Sequence, residues 1–151
     1  MKLAEALNLR ADIQMRNGQL RERLNANAKV QEGDKPSENP EDLLKELNGN
    51  LKELEKLIKA INKTNANTFS GKDSITDLIA KRDVLGMEIS IKRDFLSNAS
   101  ARVDRYSNNE IKILATIDVA KYQKEIDKLS KNMRELDTKI QGLNWTTDLM
   151  K

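Results

Sequence analysis

Charged side chains and a tyrosine gather in two irregular connections, near residues 29–39 and 104–117. Their guanidinium, ammonium and phenol groups could bind a small anionic ligand, since loops carry binding functions more often than helix faces do. The alternative is structural, in which the same groups hold a long loop in place through salt bridges and hydrogen bonds. The candidate ligand-binding residues are Arg105, Tyr106, Glu110, Lys112, Lys29 and Glu32.

A second polar group is predicted inside the helical core. Arg10 and Arg82 occupy positions where the apolar pattern calls for hydrophobic residues, and a buried arginine without a partner is costly. We therefore expect carboxylates and amides to meet them, unless these long side chains reach solvent or fix the register of a thin bundle. The members of this predicted buried polar cluster are Arg10, Asp12, Asn62, Asn65, Arg82 and Asp83.

The absence of histidine and cysteine removes several classes of site. One chain of this composition cannot form a disulfide, a zinc site built from Cys and His, or a Cys–His or Ser–His nucleophile. Carboxylate–Mg²⁺ chemistry stays possible, but Glu38 and Glu41, with Glu-x-x-Glu spacing, flank a proline at a helix start. We predict no cofactor, no metal site and no catalytic residue, and the interpretation leans away from an enzyme.

Four long segments carry apolar residues at the spacing of helices that pack on one another. The clearest begins near Val119 and the next begins at Asn39-Pro40, where proline and two acids mark a helix start. The third covers about residues 74–103. The pattern predicts an all-α fold, an antiparallel four-helix bundle of long coiled-coil-like helices that forms a single domain over residues 1–151.

A short two-stranded β-ribbon is expected at one end of this bundle. Residues 110–117 are rich in β-branched side chains and partly alternate between apolar and polar, which favours a strand. In an up-down-up-down bundle the 29–39 and 104–117 connections fall at the same end. Residues 29–32 are therefore predicted to pair with residues 112–114, whereas residues 66–73 are predicted to form a polar turn at Gly71.

The third helix carries a second apolar stripe beside the one that faces the core. At about 100° per residue the two stripes are centred roughly 130° apart, so one core cannot easily cover both. A second copy of the chain is the commonest cover for such a surface, and we predict a homo-oligomer, at least a dimer. The predicted oligomer interface is Val84, Met87, Ile91 and Phe95.

The charge pattern bears on partners and location. With 27 basic and 24 acidic residues in alternation, the surface lacks the basic stripe and aromatic platforms of a nucleic-acid-binding protein. The first residues run directly into charged positions and no long apolar run follows, so we expect no signal peptide and no membrane span. These features predict a cytoplasmic protein that binds neither nucleic acid nor membrane.

Six local strings are spread over nearly the whole chain: residues 9–14, 21–33, 61–65, 81–83, 105–112 and 144–149. Together they resemble a family of small bacterial helical proteins that carry the name septicolysin. The resemblance implies a helical fold and brings no residue-level activity, although the name implies a cytolysin. The favoured hypothesis is a non-enzymatic, self-associating scaffold or binding module. A small-ligand or nucleotide-handling protein that uses the loop end, and a septicolysin-type toxin, are the alternatives.

Overall fold

Four long helices make up most of the structure, a computed structural model that describes residues 1–101 and 111–151. The predicted all-α class with a short β-ribbon is confirmed. The elements in chain order are α1 Leu3–Ala26, α2 Pro40–Asn67, β1 Phe69–Ser70, β2 Asp73–Ser74, α3 Ile75–Ser100 and α4 Val119–Thr146.

The helix starts follow the local signals of the sequence. Asn39 caps α2, because its side-chain oxygen accepts a hydrogen bond from the Glu41 amide at 3.0 Å, and Pro40 supplies a first residue that needs no such bond. Asp118 caps α4 in the same way, accepting from the Lys121 amide at 3.2 Å. Both starts lie where the sequence predicts them.

Two compact units divide the described chain. The first comprises Met1–Thr76 together with Gln141–Lys151, and the second comprises Asp77–Ile140. The single domain over residues 1–151 stays a prediction.

In the first unit α1 and α2 run antiparallel. The side-chain amide of Asn50 donates to the side-chain oxygen of Asn17 at 3.1 Å, and this polar contact sets the register along an otherwise apolar seam. The largest fully buried side chains of this unit are Leu3, Ile13, Leu20, Ile61, Ile75 and Thr64.

The segment after α4 is joined to both α1 and α2 within this unit. The Leu3 amide donates to the Thr147 carbonyl and the Leu149 amide donates to the Met1 carbonyl, both at 2.9 Å. Thr64, fully buried on α2, accepts from the Met150 amide at 2.9 Å while its hydroxyl donates to the Ala60 carbonyl. The Thr64 hydroxyl thus accepts a hydrogen bond from a backbone amide that lies outside any helix.

The β-ribbon lies at a different place from the predicted one. Residues 29–32 and 111–114 form no strand, whereas Phe69–Ser70 pairs antiparallel with Asp73–Ser74 across a two-residue turn. Gly71 has a positive φ of 67°, as the first central position of a tight hairpin turn requires. A two-residue turn closes this pair at a low entropic cost. Pairing residues 29–32 with residues 112–114 would close a much longer loop at a higher cost.

Ion pairing and hydrogen bonds hold the connection between α1 and α2. The guanidinium of Arg23 donates to both carboxylate oxygens of Glu38, with 3.0 Å from Nε to Oε2. Asn27 closes the network, since its side chain donates to the Arg23 carbonyl and accepts from the Glu38 amide. The Arg23 guanidinium lowers the pKa of the Glu38 carboxyl, chiefly through this hydrogen bond.

Replacing Thr64 with valine should loosen the segment after α4. The isosteric change leaves the half-buried Met150 amide without its acceptor, and the expected loss in the free energy of unfolding is about 1 kcal/mol. Chemical denaturation measures this loss, and hydrogen exchange should show faster exchange at the Met150 amide. The control Thr64→Ser keeps the hydroxyl, so it should keep slow exchange at Met150. Equal exchange in both variants would contradict this role of the hydroxyl.

Titration of Glu38 should reveal its pairing with Arg23. By carboxyl-carbon NMR its pKa should lie below the ordinary value of 4.5, and Arg23→Ala should return it toward that value. Because the folded-state pKa is the lower one, the pair stabilises the fold above about pH 4.5 and loses that effect as the pH falls through the folded-state pKa. Arg21→Ala removes a nearby exposed arginine and should leave the Glu38 pKa unchanged. An unshifted wild-type pKa would refute the pairing.

Candidate functional site

The second unit presents a stripe of exposed apolar side chains on α3. The relative exposures of Val84, Met87, Ile91 and Phe95 are 63%, 60%, 69% and 52%. Their spacing of three and four residues places all four on one face over about 16 Å of helix. We call this set the α3 stripe. Large aliphatic and aromatic side chains in contact with water along three turns are typical of an interaction surface.

The opposite side of α3 is the side that contacts α4. Arg82 and Arg93, which lie roughly 180° from the α3 stripe, reach Asp137 at 3.4 Å and Ser130 at 3.0 Å. These contacts show that α4 runs antiparallel to α3 and reaches the side of α3 away from the stripe. Leu78, Ile89 and Leu96 lie on a neighbouring face and are buried. The sequence therefore assigns α3 two apolar faces, of which the described chain covers one.

Opposite charges flank the α3 stripe. Lys81 and Lys92 lie roughly 80° to one side of its centre, and Asp83 and Asp94 lie roughly 80° to the other. All four residues are exposed. Glu88 shares the basic side, where its carboxylate accepts from the Lys92 ammonium at 3.2 Å. The stripe thus has a basic border and an acidic border.

An open groove runs along the basic border, between α3 and α4. It has a volume of about 530 Å³, and Val84 and Leu85 from α3 face Leu136 from α4 across its floor. Two lysines, Lys81 and Lys139, and two glutamates, Glu88 and Glu135, also line it. Because Val84 belongs to both the groove and the α3 stripe, the two form one continuous surface.

The predicted ligand-binding residues fall partly outside the described chain. Arg105, Tyr106 and Glu110 lie outside the described residues. Lys29 and Glu32 are exposed in the connection between α1 and α2, and Lys112 is exposed in the segment before α4. Ligand binding by this group stays a prediction.

Half of the predicted buried polar cluster is exposed. Asp12, Asn62 and Asp83 face solvent, so the prediction of burial is wrong for these three residues, while Arg10 and Asn65 are half-buried. Asp12 and Asp83 each pair with an arginine on their own helix, so neither carboxylate needs a partner inside the core.

Two members of the predicted cluster, Arg82 and Asp83, do form an ion pair, whereas Asp12 finds its partner outside the cluster. Asp12 pairs with Arg16 one turn along α1, at 3.1 Å, so it needs no partner from another helix. Arg82 is half-buried and lies 3.4 Å from Asp137 and 3.6 Å from Asp83. Asp137 was absent from the predicted set, because only the antiparallel register of α3 and α4 reveals it.

The shifted pKa values indicate no further site among the described residues. The shifted groups belong to exposed ion pairs, and in each the partner's hydrogen bond is the largest cause. Lys2 lowers the pKa of the Asp148 carboxyl in this way, and Lys59 that of Glu55. Within residues 1–101 and 111–151 we find no group of three metal-ligating side chains and no helix apolar enough to cross a membrane.

Comparison with known proteins gives a family and a solved structure. A family model described as a family of unknown function, DUF6847, matches residues 10–149. A crystal structure described as a functionally unknown conserved protein from Corynebacterium diphtheriae is 41% identical in sequence, with 99% of each chain covered and a TM-score of 0.92. None of the curated proteins matches the chain. These relatives support the fold and carry no septicolysin name.

The Arg82–Asp137 contact should show energetic coupling across the α3–α4 hairpin. A double-mutant cycle of Arg82→Met and Asp137→Asn, measured by denaturation at one protein concentration, should give about 0.5 kcal/mol. The matched cycle with Asp83→Asn should give a smaller coupling, because adjacent residues on a helix point in different directions. A larger coupling to Asp83 than to Asp137 would contradict this assignment.

Proposed function

The chain belongs to the family of unknown function DUF6847, and we propose that it acts as a self-associating, non-enzymatic helical scaffold whose copies meet through the α3 stripe. The observation that carries this proposal is the exposure of four large apolar side chains on one face of α3. A cytoplasmic location belongs to the same proposal.

Burial of the α3 stripe supplies a driving force of suitable size. Each stripe side chain is already partly covered, so its further burial is worth on the order of 1–2 kcal/mol. Two copies together gain about 8–16 kcal/mol from the stripe, against association costs of about 4–15 kcal/mol. The floor of the groove, which continues from Val84, adds apolar contact area. The apolar burial is therefore of the same order as the cost of association.

A second copy is favoured over an unrelated partner by the pattern of charge. The surface carries its own complement, since one border of the α3 stripe is basic and the other acidic. Identical chains that pair through a twofold axis use the same patch on both sides, which suits such a surface. Methionine and phenylalanine also suit a protein interface, because they are adaptable and bring large contact areas.

Charged substitutions in the α3 stripe should dissociate the assembly. We expect wild-type protein to have at least twice the monomer mass by light scattering at micromolar concentration, and Ile91→Glu with Phe95→Glu to yield a helical monomer. The control pair Ser97→Glu and Thr138→Glu adds the same charge at exposed positions away from the stripe and should keep the wild-type mass.

If the variant Ile91→Glu with Phe95→Glu does not fold, the midpoint of thermal unfolding of the wild type still tests the proposal. An assembly that is required for folding makes the wild-type midpoint rise with protein concentration, whereas a monomer has a constant midpoint. A monomeric wild-type mass together with a constant midpoint would overturn the proposal.

A further inference from the structure

We infer that two copies pair with their α3 helices parallel, so that the basic border of each α3 stripe meets the acidic border of the partner's. This inference rests on the proposed self-association and adds the orientation and the contacts that select it. Lys81 then faces the partner's Asp83, and Lys92 faces the partner's Asp94.

Symmetry allows two simple arrangements of a helix face against itself. A twofold axis along the helices keeps them parallel and brings opposite borders together, whereas an axis across them makes the helices antiparallel and brings each border against itself. In the antiparallel arrangement centred on the stripe, Asp83 would approach the partner's Asp94, and Lys81 would have no acidic side chain opposite it, although Lys92 would lie level with the partner's Glu88. Like charges placed together in an interface are unfavourable, so the borders select the parallel pair.

Heights along the helix agree with the parallel pair. Lys81 and Asp83 differ by two residues, as do Lys92 and Asp94, which corresponds to about 3 Å along the axis. Each lysine therefore lies nearly level with the aspartate opposite. Two acidic residues, Glu88 of α3 and Glu135 of α4, also lie along the basic border. Glu88 pairs with Lys92 at 3.2 Å, so the Lys92 ammonium would lie between Glu88 and the partner's Asp94.

The parallel pair also places the α3 stripe beside the groove. In this pair the acidic border of one copy faces the basic border of the other. Met87, which lies on the acidic side of the stripe centre, therefore approaches the partner's groove near Val84 and Leu85. The flexible methionine can fill the open space on that apolar floor. Ile91 and Phe95 continue the apolar contact toward the end of α3.

Disulfide trapping distinguishes the two orientations, because the chain has no cysteine of its own. Val84 and Phe95 lie at the two ends of the stripe, about 16 Å apart along α3. In a parallel pair each of these positions meets its own counterpart, so Val84→Cys alone and Phe95→Cys alone should both give covalent dimers on mild oxidation. Ser97→Cys, which is exposed on the other side of α3, is the control and should stay unlinked.

Efficient linkage only when Val84→Cys is mixed with Phe95→Cys would overturn the parallel pair while leaving self-association intact. A wild-type chain that is monomeric would instead overturn the proposed function. The two failures are therefore distinguishable.

Charge reversal supplies a second, non-covalent measurement of the orientation. Lys81→Glu with Lys92→Glu, or Asp83→Lys with Asp94→Lys, should each raise the dimer dissociation constant about tenfold or more, and an equimolar mixture should restore it. Dissociation constants that stay at the wild-type value in both reversed variants would overturn the proposed contacts between borders.

Discussion

The structure depends on a constraint in α3, which carries apolar side chains on two faces, of which residues 1–101 and 111–151 cover one. Ile89 and Leu96 on the first face are buried, whereas Ile91 and Phe95 on the second remain largely in water. Covering the second face is favourable, because apolar surface is driven out of water in proportion to its area. The proposed self-association supplies such a cover.

The arrangement of α4 reinforces this division of faces. Asp137 and Ser130 hold the hairpin on the side of α3 that carries Arg82 and Arg93. Polar contacts thus occupy the side away from the α3 stripe, and the stripe keeps its exposure. In the proposed pair the charged borders select the orientation of the two copies, since apolar burial has no preferred direction and charge pairing does.

The sequence predicts most of what local chemistry controls. The caps at Asn39 and Asp118 fix two helix starts within a residue, and the three-and-four spacing on α3 separates the face that the chain buries from the face that it exposes. These features depend on neighbours within a few turns, so a single sequence contains them. The sequence also predicts the turn at Gly71, but it places the two strands of the ribbon elsewhere.

Contacts between distant segments account for the differences. Arg82 meets Asp137, Asn17 meets Asn50, and Thr64 meets the Met150 amide, at sequence separations of 55, 33 and 86. Helical periodicity shows which side of a helix turns inward, but it does not give the register against another helix. The predicted polar cluster groups residues that are expected at the same end of the bundle. Asp12 instead pairs with Arg16, one turn away on its own helix.

The most direct measurement of the central claim is the solvent exposure of the Ile91 methyl group across a dilution series. A soluble paramagnetic probe broadens exposed methyl resonances, and Ile89 provides a buried reference on the same helix. If a second copy covers the α3 stripe, broadening at Ile91 should be weak at high protein concentration and should grow on dilution, while Ile113 stays exposed throughout. Strong broadening at Ile91 at every concentration would contradict the account.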